Sequence, residues 1–125
     1  SYGEKSSRNL AGVSFVDATS NDPRSVTARV IAGATLGFFT SGRMTPWGSS
    51  IAPTIKVATN TERAKLKADW VDFDAGRMIS EGASLEDLAA ELYSLTLRVA
   101  NGGITQAERL GTTGVELWLP DTGFQ

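Results

Sequence analysis

Short apolar segments rich in valine, isoleucine and phenylalanine alternate along this chain with segments of helical pattern. The apolar segments predict β-strands at residues 12–17, 36–40, 54–58, 70–73 and 115–119. Strands that alternate with helices are typical of a mostly parallel sheet covered by helices on both faces. The sequence therefore predicts a three-layer α/β domain, Rossmann-like or flavodoxin-like, with a small mostly parallel sheet flanked by helices.

The helices between these strands are marked by capping residues and by the spacing of apolar positions. Asp22 is predicted to cap a helix that has Pro23 at its first position and extends to residues 33–34. Ser84 is predicted to cap the clearest helix, whose apolar positions 85, 88, 92, 95 and 99 should face the core. Two shorter helices are expected to start at the capping-box pairs Thr59 with Glu62 and Thr105 with Glu108.

The length and charge of the chain limit the kinds of partner that it can have. A chain of 125 residues has the size of one domain, and we expect an arm or linker remnant at residues 1–11 and a single domain at 12–125. The net charge is −2 at pH 7, so no basic surface indicates a nucleic acid or an anionic membrane as partner. The longest apolar stretch, residues 26–39, contains Arg29 and is too short to span a bilayer. The absence of cysteine is compatible with the cytoplasm, where we expect the protein.

The chain contains no histidine and no cysteine. It therefore cannot build a zinc finger, an iron–sulfur site, a cysteine nucleophile or a Ser-His-Asp triad. Only oxygen ligands remain for a metal ion, and the carboxylates are scattered along the sequence. We therefore assign no metal ligand within this chain.

Polar residues follow the apolar part of four predicted strands. They are Asp17, the run 40–43, the pair Thr59-Asn60, and Asp74. If these strands are parallel, their carboxyl ends meet at one edge of the sheet, which is where α/β folds bind ligands. The connection from residue 40 to residue 54 contains no predicted helix, so an antiparallel pairing stays open and would separate these groups. Asp72 alternates with Val71 and Phe73 and is interpreted as an ordinary half-exposed strand position.

The segment at 38–60, FFTSGRMTPWGSSIAPTIKVATN, carries the strongest indication of a binding site. Arg43 stands among hydroxyl residues and glycines, and a guanidinium in such surroundings is suited to hold a carboxylate or phosphate through two hydrogen bonds. A structural alternative is that Arg43 caps a helix or pairs with Asp74. Lys56 lies inside a strand pattern, where lysine usually marks a solvent-facing or edge position, and Trp47 is suited to an interface.

Four blocks of the sequence, in order and with matching spacing, resemble the altronate dehydratase/galactarate dehydratase family. They are GVSFVD at 12–17, TSGRMTPWG at 40–48, PTIKVATN at 53–60 and DFDAGR at 72–77. The helix at 88–100 and the run TQAE at 105–108 are also similar to the end of that family's enzymes. The resemblance covers only the C-terminal portion of enzymes that are several times longer. The sequence departs from the usual pattern at Ser41, at Trp47 and at Met44, where a glycine commonly stands and where the methionine enlarges the side of the loop.

The resemblance implies a lyase that removes water from a sugar acid of the galactarate or altronate type and forms a 2-keto-3-deoxy acid. Such enzymes generally use a divalent metal, Fe²⁺ or else Mg²⁺ or Mn²⁺, which we expect to be bound mainly outside this chain. The resemblance also implies partners, namely N-terminal and middle domains and a second copy in a homo-oligomer such as a dimer. On this interpretation the chain alone is inactive.

The chemistry of such a dehydratase requires positive charge near the substrate carboxylate, because an enediolate develops there. Arg43 and Lys56 are predicted to supply that charge as catalytic residues. The predicted substrate-binding residues are Thr40, Ser41, Gly42, Thr45, Thr59, Asn60 and Asp74.

Two alternatives to a dehydratase stay open. Sulfolactate sulfo-lyase is similar to the same enzymes and expels sulfite instead of water. A non-catalytic α/β module that binds an anion or forms a dimer would carry the same loop without the reaction.

Overall fold

The computed structural model describes residues 12–18 and 20–117 of the chain. The helices are α1 (Asp22–Ile31), α2 (Thr61–Leu66), α3 (Arg77–Ser80), α4 (Leu85–Ala100) and α5 (Gln106–Arg109), with a 3₁₀ turn at Ala68–Trp70. The strands are β1 (Gly37–Ser41), β2 (Gly48–Ser49), β3 (Thr54–Ala58), β4 (Phe73–Asp74) and β5 (Thr113–Gly114). The predicted α/β class is confirmed.

The main sheet has three strands in the order β1-β3-β4, and both pairs are parallel. β2 and β5 form a second, two-stranded parallel sheet. The antiparallel alternative for the strands at 36–40 and 54–58 is therefore wrong. The loop at 42–53 makes the parallel connection without a helix, because it forms β2 on the way and buries Ser49 and Ala52.

The central strand β3 is buried along its whole length. Because side chains alternate along a strand, Ile55 and Val57 face one side of the sheet, and Lys56 faces the other between its neighbours at 54 and 58. The first side forms the main core with Phe73 of β4 and with Leu88, Leu95 and Val99 of α4. A smaller core on the second side joins Ala58 to Met44 and to Ala64 of α2. Helices thus cover both sides of the sheet.

Helix α4 follows the sequence prediction closely. Its N-cap is Ser84, whose Oγ accepts a hydrogen bond from the N–H of Asp87 at 3.0 Å. Helix α5 begins with the predicted capping box between Thr105 and Glu108. Leu85 is an exception to the predicted apolar face, because it lies in the first turn of α4 and is 65% exposed.

Two predicted helix caps are displaced by one residue. The cap of α1 is Asn21 and not Asp22, and the cap of α2 is Asn60 and not Thr59. Each asparagine has extended backbone, as an N-cap requires, and its Oδ1 accepts an N–H from the first turn. Thr59 cannot take this role because it still continues the sheet, donating its N–H to the carbonyl of Ser41 at 3.1 Å.

Three strand predictions need correction. Residues 13–18 have no regular secondary structure, and Val13 and Phe15 are 89% and 97% exposed. The sequence has the alternation of a strand, but no strand in the described part of the chain pairs with this segment. Trp70 belongs to the 3₁₀ turn, so β4 is shorter than predicted. The last strand is β5 at 113–114, directly before the predicted range 115–119. Residues 118–119 of that range and the predicted arm at 1–11 lie outside the described residues.

Gly76 lies directly after β4 and packs against the start of α2. A Cβ atom at this position would lie 2.6 Å from the backbone nitrogen of Thr61 and 2.7 Å from its Oγ1. We expect Gly76→Ala to lower the free energy of unfolding by about 1 to 3 kcal/mol, because the methyl group would overpack against backbone that cannot move independently. Chemical denaturation measures this difference.

Gly37→Ala is the matched control for this substitution. A Cβ atom at Gly37 would have its nearest neighbours at 4.0 Å, so this variant should lose much less stability. Equal losses in the two variants would contradict the packing argument.

Candidate functional site

The carboxyl ends of the three strands in the main sheet lie side by side. Ser41 ends β1, Ala58 ends β3 and Asp74 ends β4, and the register places these residues in one row. The polar residues at 40–43, at 59–60 and at 74 therefore meet at one edge, here called the carboxyl rim. Asp17 does not follow a strand and lies in the irregular segment before α1.

The loop that carries Arg43 is fixed by contacts to its backbone. The Oγ of Ser41 accepts the N–H groups of Arg43 and Met44, both at 3.1 Å. The Nζ of Lys67 donates to the carbonyl of Arg43 at 2.6 Å and to that of Met44 at 3.2 Å, and it lies over the ring of Trp70. Arg43 itself is exposed. A rigid loop therefore presents a guanidinium to solvent at the carboxyl rim.

The side chain of Met44 lies on the buried side of this loop. Its φ is 62°, in the left-handed region where side chains are rarely found, and its side chain is only 5% exposed. The side chain packs under the loop against Ala58 and Ala64. This apolar contact offsets the backbone strain, which is about 1 to 2 kcal/mol for a residue other than glycine.

Several predicted substrate-binding residues hold the backbone of the rim. Asn60 caps α2, and Asp74 Oδ1 accepts the hydroxyl of Thr61 at 3.2 Å and the N–H of Gly76 at 2.9 Å. The Oγ1 of Thr45 accepts the N–H of Trp47 at 3.5 Å. The predicted residues with exposed positions at the rim are Thr40, Gly42, Arg43, Thr59 and Asn60, of which Asn60 is also the cap of α2. Within the described residues, Arg43 forms no ion pair with Asp74.

Lys56 lies below the rim and inside the protein. Its side chain is completely buried in the central strand, and its Nζ has no hydrogen-bond partner among the described residues. Nζ lies 3.9 Å from the centre of the ring of Phe39, its neighbour on β1. Burial lowers the pKa of Lys56 from 10.5 to about 8, against the attraction of Asp22 and Asp72. Lysine in this strand therefore does not mark a solvent-facing position.

Asp72 has a structural role that its sequence pattern does not indicate. Its Oδ2 accepts the backbone N–H of Lys56 at 2.7 Å, and its Oδ1 accepts the N–H of Gln106 at 2.8 Å. Burial raises the pKa of the Asp72 carboxyl, while these two hydrogen bonds and the charge of Lys56 oppose the increase. The carboxylate thereby ties β3 to the first residue of α5.

Sequence reasoning missed Lys67 and the pairing of Phe39 with Lys56. Lys67 stands at the end of a charged helix pattern, and no local signal connects it to a loop 23 or 24 residues earlier. The contact between Phe39 and Lys56 follows from the parallel register of β1 and β3. That register would have indicated the contact, had the strand direction been known from the sequence.

A metal ion needs several ligand side chains at one place. No group of three or more carboxylates at 12–18 and 20–117 is arranged to hold one, and the chain has no histidine or cysteine to replace them. In the same part of the chain, no helix has both the length and the apolar character needed to cross a membrane.

Lys56→Met tests the energetic consequence of the buried ammonium. A pKa lowered from 10.5 to about 8 corresponds to roughly 3 kcal/mol of penalty on the charged form. Methionine has a similar length and no charge, so we expect the variant to be more stable than the wild type by about 1 to 3 kcal/mol at pH 7.

The pH dependence of this difference has a defined sign. Between pH 8 and 10.5 the unfolded chain keeps the Lys56 proton that the folded protein has released, so wild-type stability gains with rising pH. The advantage of Lys56→Met should therefore shrink across that range in denaturation experiments. Lys65→Met, at an exposed lysine, is the matched control for the loss of one positive charge. A Lys56→Met variant less stable than the wild type at pH 7 would disprove this account.

Comparison with known proteins adds evidence independent of the geometry. The sequence model of the family described as "D-galactarate/Altronate dehydratase, C-terminal" matches residues 1–122. Altronate dehydratase of Escherichia coli (strain K12) is 38% identical over 108 residues, which are 86% of this chain and 21% of that enzyme.

Two further relatives are named for other activities. Galactarate dehydratase (L-threo-forming) of Escherichia coli (strain K12) is 38% identical over 76 residues, 61% of this chain and 14% of that enzyme. The beta subunit of (2R)-sulfolactate sulfo-lyase from Chromohalobacter salexigens is 30% identical over 100 residues, 80% of this chain and 26% of that subunit. The chain thus spans about a quarter or less of the length of each relative.

Proposed function

The chain belongs to the D-galactarate/altronate dehydratase family, whose C-terminal domain it matches, and on that premise we propose that it is one domain of a longer hydro-lyase. This enzyme would dehydrate a sugar acid of the galactarate or altronate type to a 2-keto-3-deoxy acid. The observation that carries the proposal is the exposed Arg43 on a fixed loop at the carboxyl rim of a parallel sheet.

The proposed role of the rim is to bind the substrate carboxylate. Dehydration of a hydroxy acid begins with removal of the proton next to the carboxylate, and the electron pair moves onto the carboxylate as an enediolate. A guanidinium that grips both oxygens binds this dianion more strongly than the substrate, which lowers the barrier. Arg43 has the required charge and exposure, and the hydroxyls of Thr40 and Thr59 are exposed at the same rim.

Other parts of the reaction are assigned to the remaining domains. The divalent metal, Fe²⁺ or else Mg²⁺ or Mn²⁺, is proposed to bind there, because the described residues offer no cluster of ligands for it. The base that removes the proton is placed there as well, and the chain alone is proposed to be inactive. The dimer stays a prediction from the family resemblance, and the cytoplasmic location stays a prediction that the absence of cysteine is compatible with.

The similarity to a sulfolactate sulfo-lyase subunit supports a second candidate. Its reaction shares the first half of the chemistry, since proton removal next to a carboxylate again produces an enediolate, but sulfite leaves in place of hydroxide. The carboxylate-binding role of Arg43 would be the same in both reactions. The identity of the released product therefore distinguishes the two candidates, whereas carboxylate binding at the carboxyl rim is common to both.

Arg43→Ala in the longer enzyme tests the proposed role of the rim. We expect kcat/KM to fall by about 100-fold, or about 3 kcal/mol, because an oriented charge that stabilises the transition state is lost. The fold should be unchanged, since Arg43 is exposed and its loop is fixed through backbone contacts. Steady-state kinetics on the purified enzyme gives the value.

Arg98→Ala serves as the matched control. Arg98 is exposed near the end of α4, and its neighbour Val99 lines a cleft with Leu36 at the amino end of β1, so it lies away from the carboxyl rim. This variant should keep wild-type kinetics. Wild-type kinetics in Arg43→Ala as well would refute the proposed role and favour a non-catalytic or dimerisation module.

A further inference from the structure

The Nζ of Lys56 has three N–H donors and no acceptor among the described residues, although it is completely buried. Burying an ammonium without a partner is costly, and such groups are usually paired. The two nearest carboxylates do not supply the missing acceptor. Asp72 uses both oxygens on backbone N–H groups, and Asp22 attracts Lys56 only from beyond ion-pair distance.

The ring of Phe39 covers this ammonium and also forms the wall of a cleft. The ring centre lies 3.9 Å from Nζ, and Phe39 is only partly buried. Phe39 also lines a cleft of about 480 Å³ between α1 and β1. Asp22, which attracts the ammonium, lines the same cleft. Phe39 is therefore the residue that contacts the Nζ of Lys56 and also lines the cleft.

The polar groups of the cleft have the chemistry of a site for a hydroxylated anion. Arg29 adds a second positive charge, and Ser25 and Thr40 add hydroxyls. Asp22 would oppose a bare anion but can accept hydrogen bonds from ligand hydroxyls. With Lys56 charged, the two cations outweigh this one carboxylate.

We propose that the cleft between α1 and β1 binds a small oxyanion, a carboxylate or a phosphate group, which Lys56 contacts when the ring of Phe39 swings aside. The bound oxyanion supplies the acceptor that Nζ lacks, and the Phe39 ring covers the ammonium in the absence of ligand. This proposal concerns a cleft beside the carboxyl rim and does not depend on the role of Arg43 or on the dehydratase reaction.

The first test measures access to Lys56 by reductive methylation of the chain with formaldehyde and mass spectrometry. Lys56 should react much more slowly than the exposed Lys65 in the wild type, and at least tenfold faster in Phe39→Leu than in the wild type. Saturating inorganic phosphate or acetate should slow the reaction of Lys56 in Phe39→Leu and leave that of Lys65 unchanged. Equal rates for Lys56 in the two proteins, or no protection by either anion, would overturn the proposal that the ring of Phe39 controls access to Lys56.

The second test measures binding directly and does not require the Phe39 variant to fold. Titration of the isotope-labelled chain with inorganic phosphate, and separately with acetate and glycerate, should shift the amide resonances of β1 and α1 to saturation. The dissociation constant should rise at least tenfold in Lys56→Met and stay unchanged in Lys65→Met. The anion that saturates at the lowest concentration identifies the class of ligand. No saturable shift with any anion, or equal affinity in Lys56→Met, would overturn the proposal.

Discussion

The carboxylate of Asp72 joins the central strand to the layer that carries the loop of Arg43. Its two oxygens accept the N–H groups of Lys56 and Gln106, so β3 and β4 are fixed to the start of α5. Helix α5 leads into β5, β5 pairs with β2, and β2 follows the loop of Arg43. The hydroxyl of Thr112, just before β5, donates to the carbonyl of Pro46 in the same loop at 2.7 Å. One half-buried carboxylate thus supports the geometry of the rim from below.

The parts of the fold that depend on local chemistry could be predicted from the sequence. The cap at Ser84, the capping box at Thr105 and the strand at 54–58 agree with the structure because each is encoded by neighbouring residues. Long-range features could not be predicted. The segment at 12–17 has strand-forming residues but no strand beside it among those described. The burial of Lys56 depends on neighbouring elements of the fold, which the alternation of residues within β3 does not specify.

The predicted site is divided between two environments. Arg43 is an exposed guanidinium on a fixed loop, suited to bind and release a carboxylate in contact with solvent. Lys56 is a buried ammonium whose pKa is lowered to about 8. Burying this charge costs stability, and packing alone does not require a charged side chain at this position. Residues that reduce stability in this way are concentrated at functional sites. Asn60 and Asp74, in contrast, have a structural explanation, because their oxygens are used by backbone and hydroxyl donors.

The measurement that tests the functional account most directly is a product assay on the longer enzyme. Galactarate, glucarate, altronate and sulfolactate would be supplied separately with Fe²⁺ or Mg²⁺, while 2-keto-3-deoxy acid and sulfite are monitored. The account predicts a 2-keto-3-deoxy acid from at least one sugar acid and no sulfite from sulfolactate. Sulfite release without any keto-deoxy acid, or no product from all four compounds, would contradict the proposed hydro-lyase.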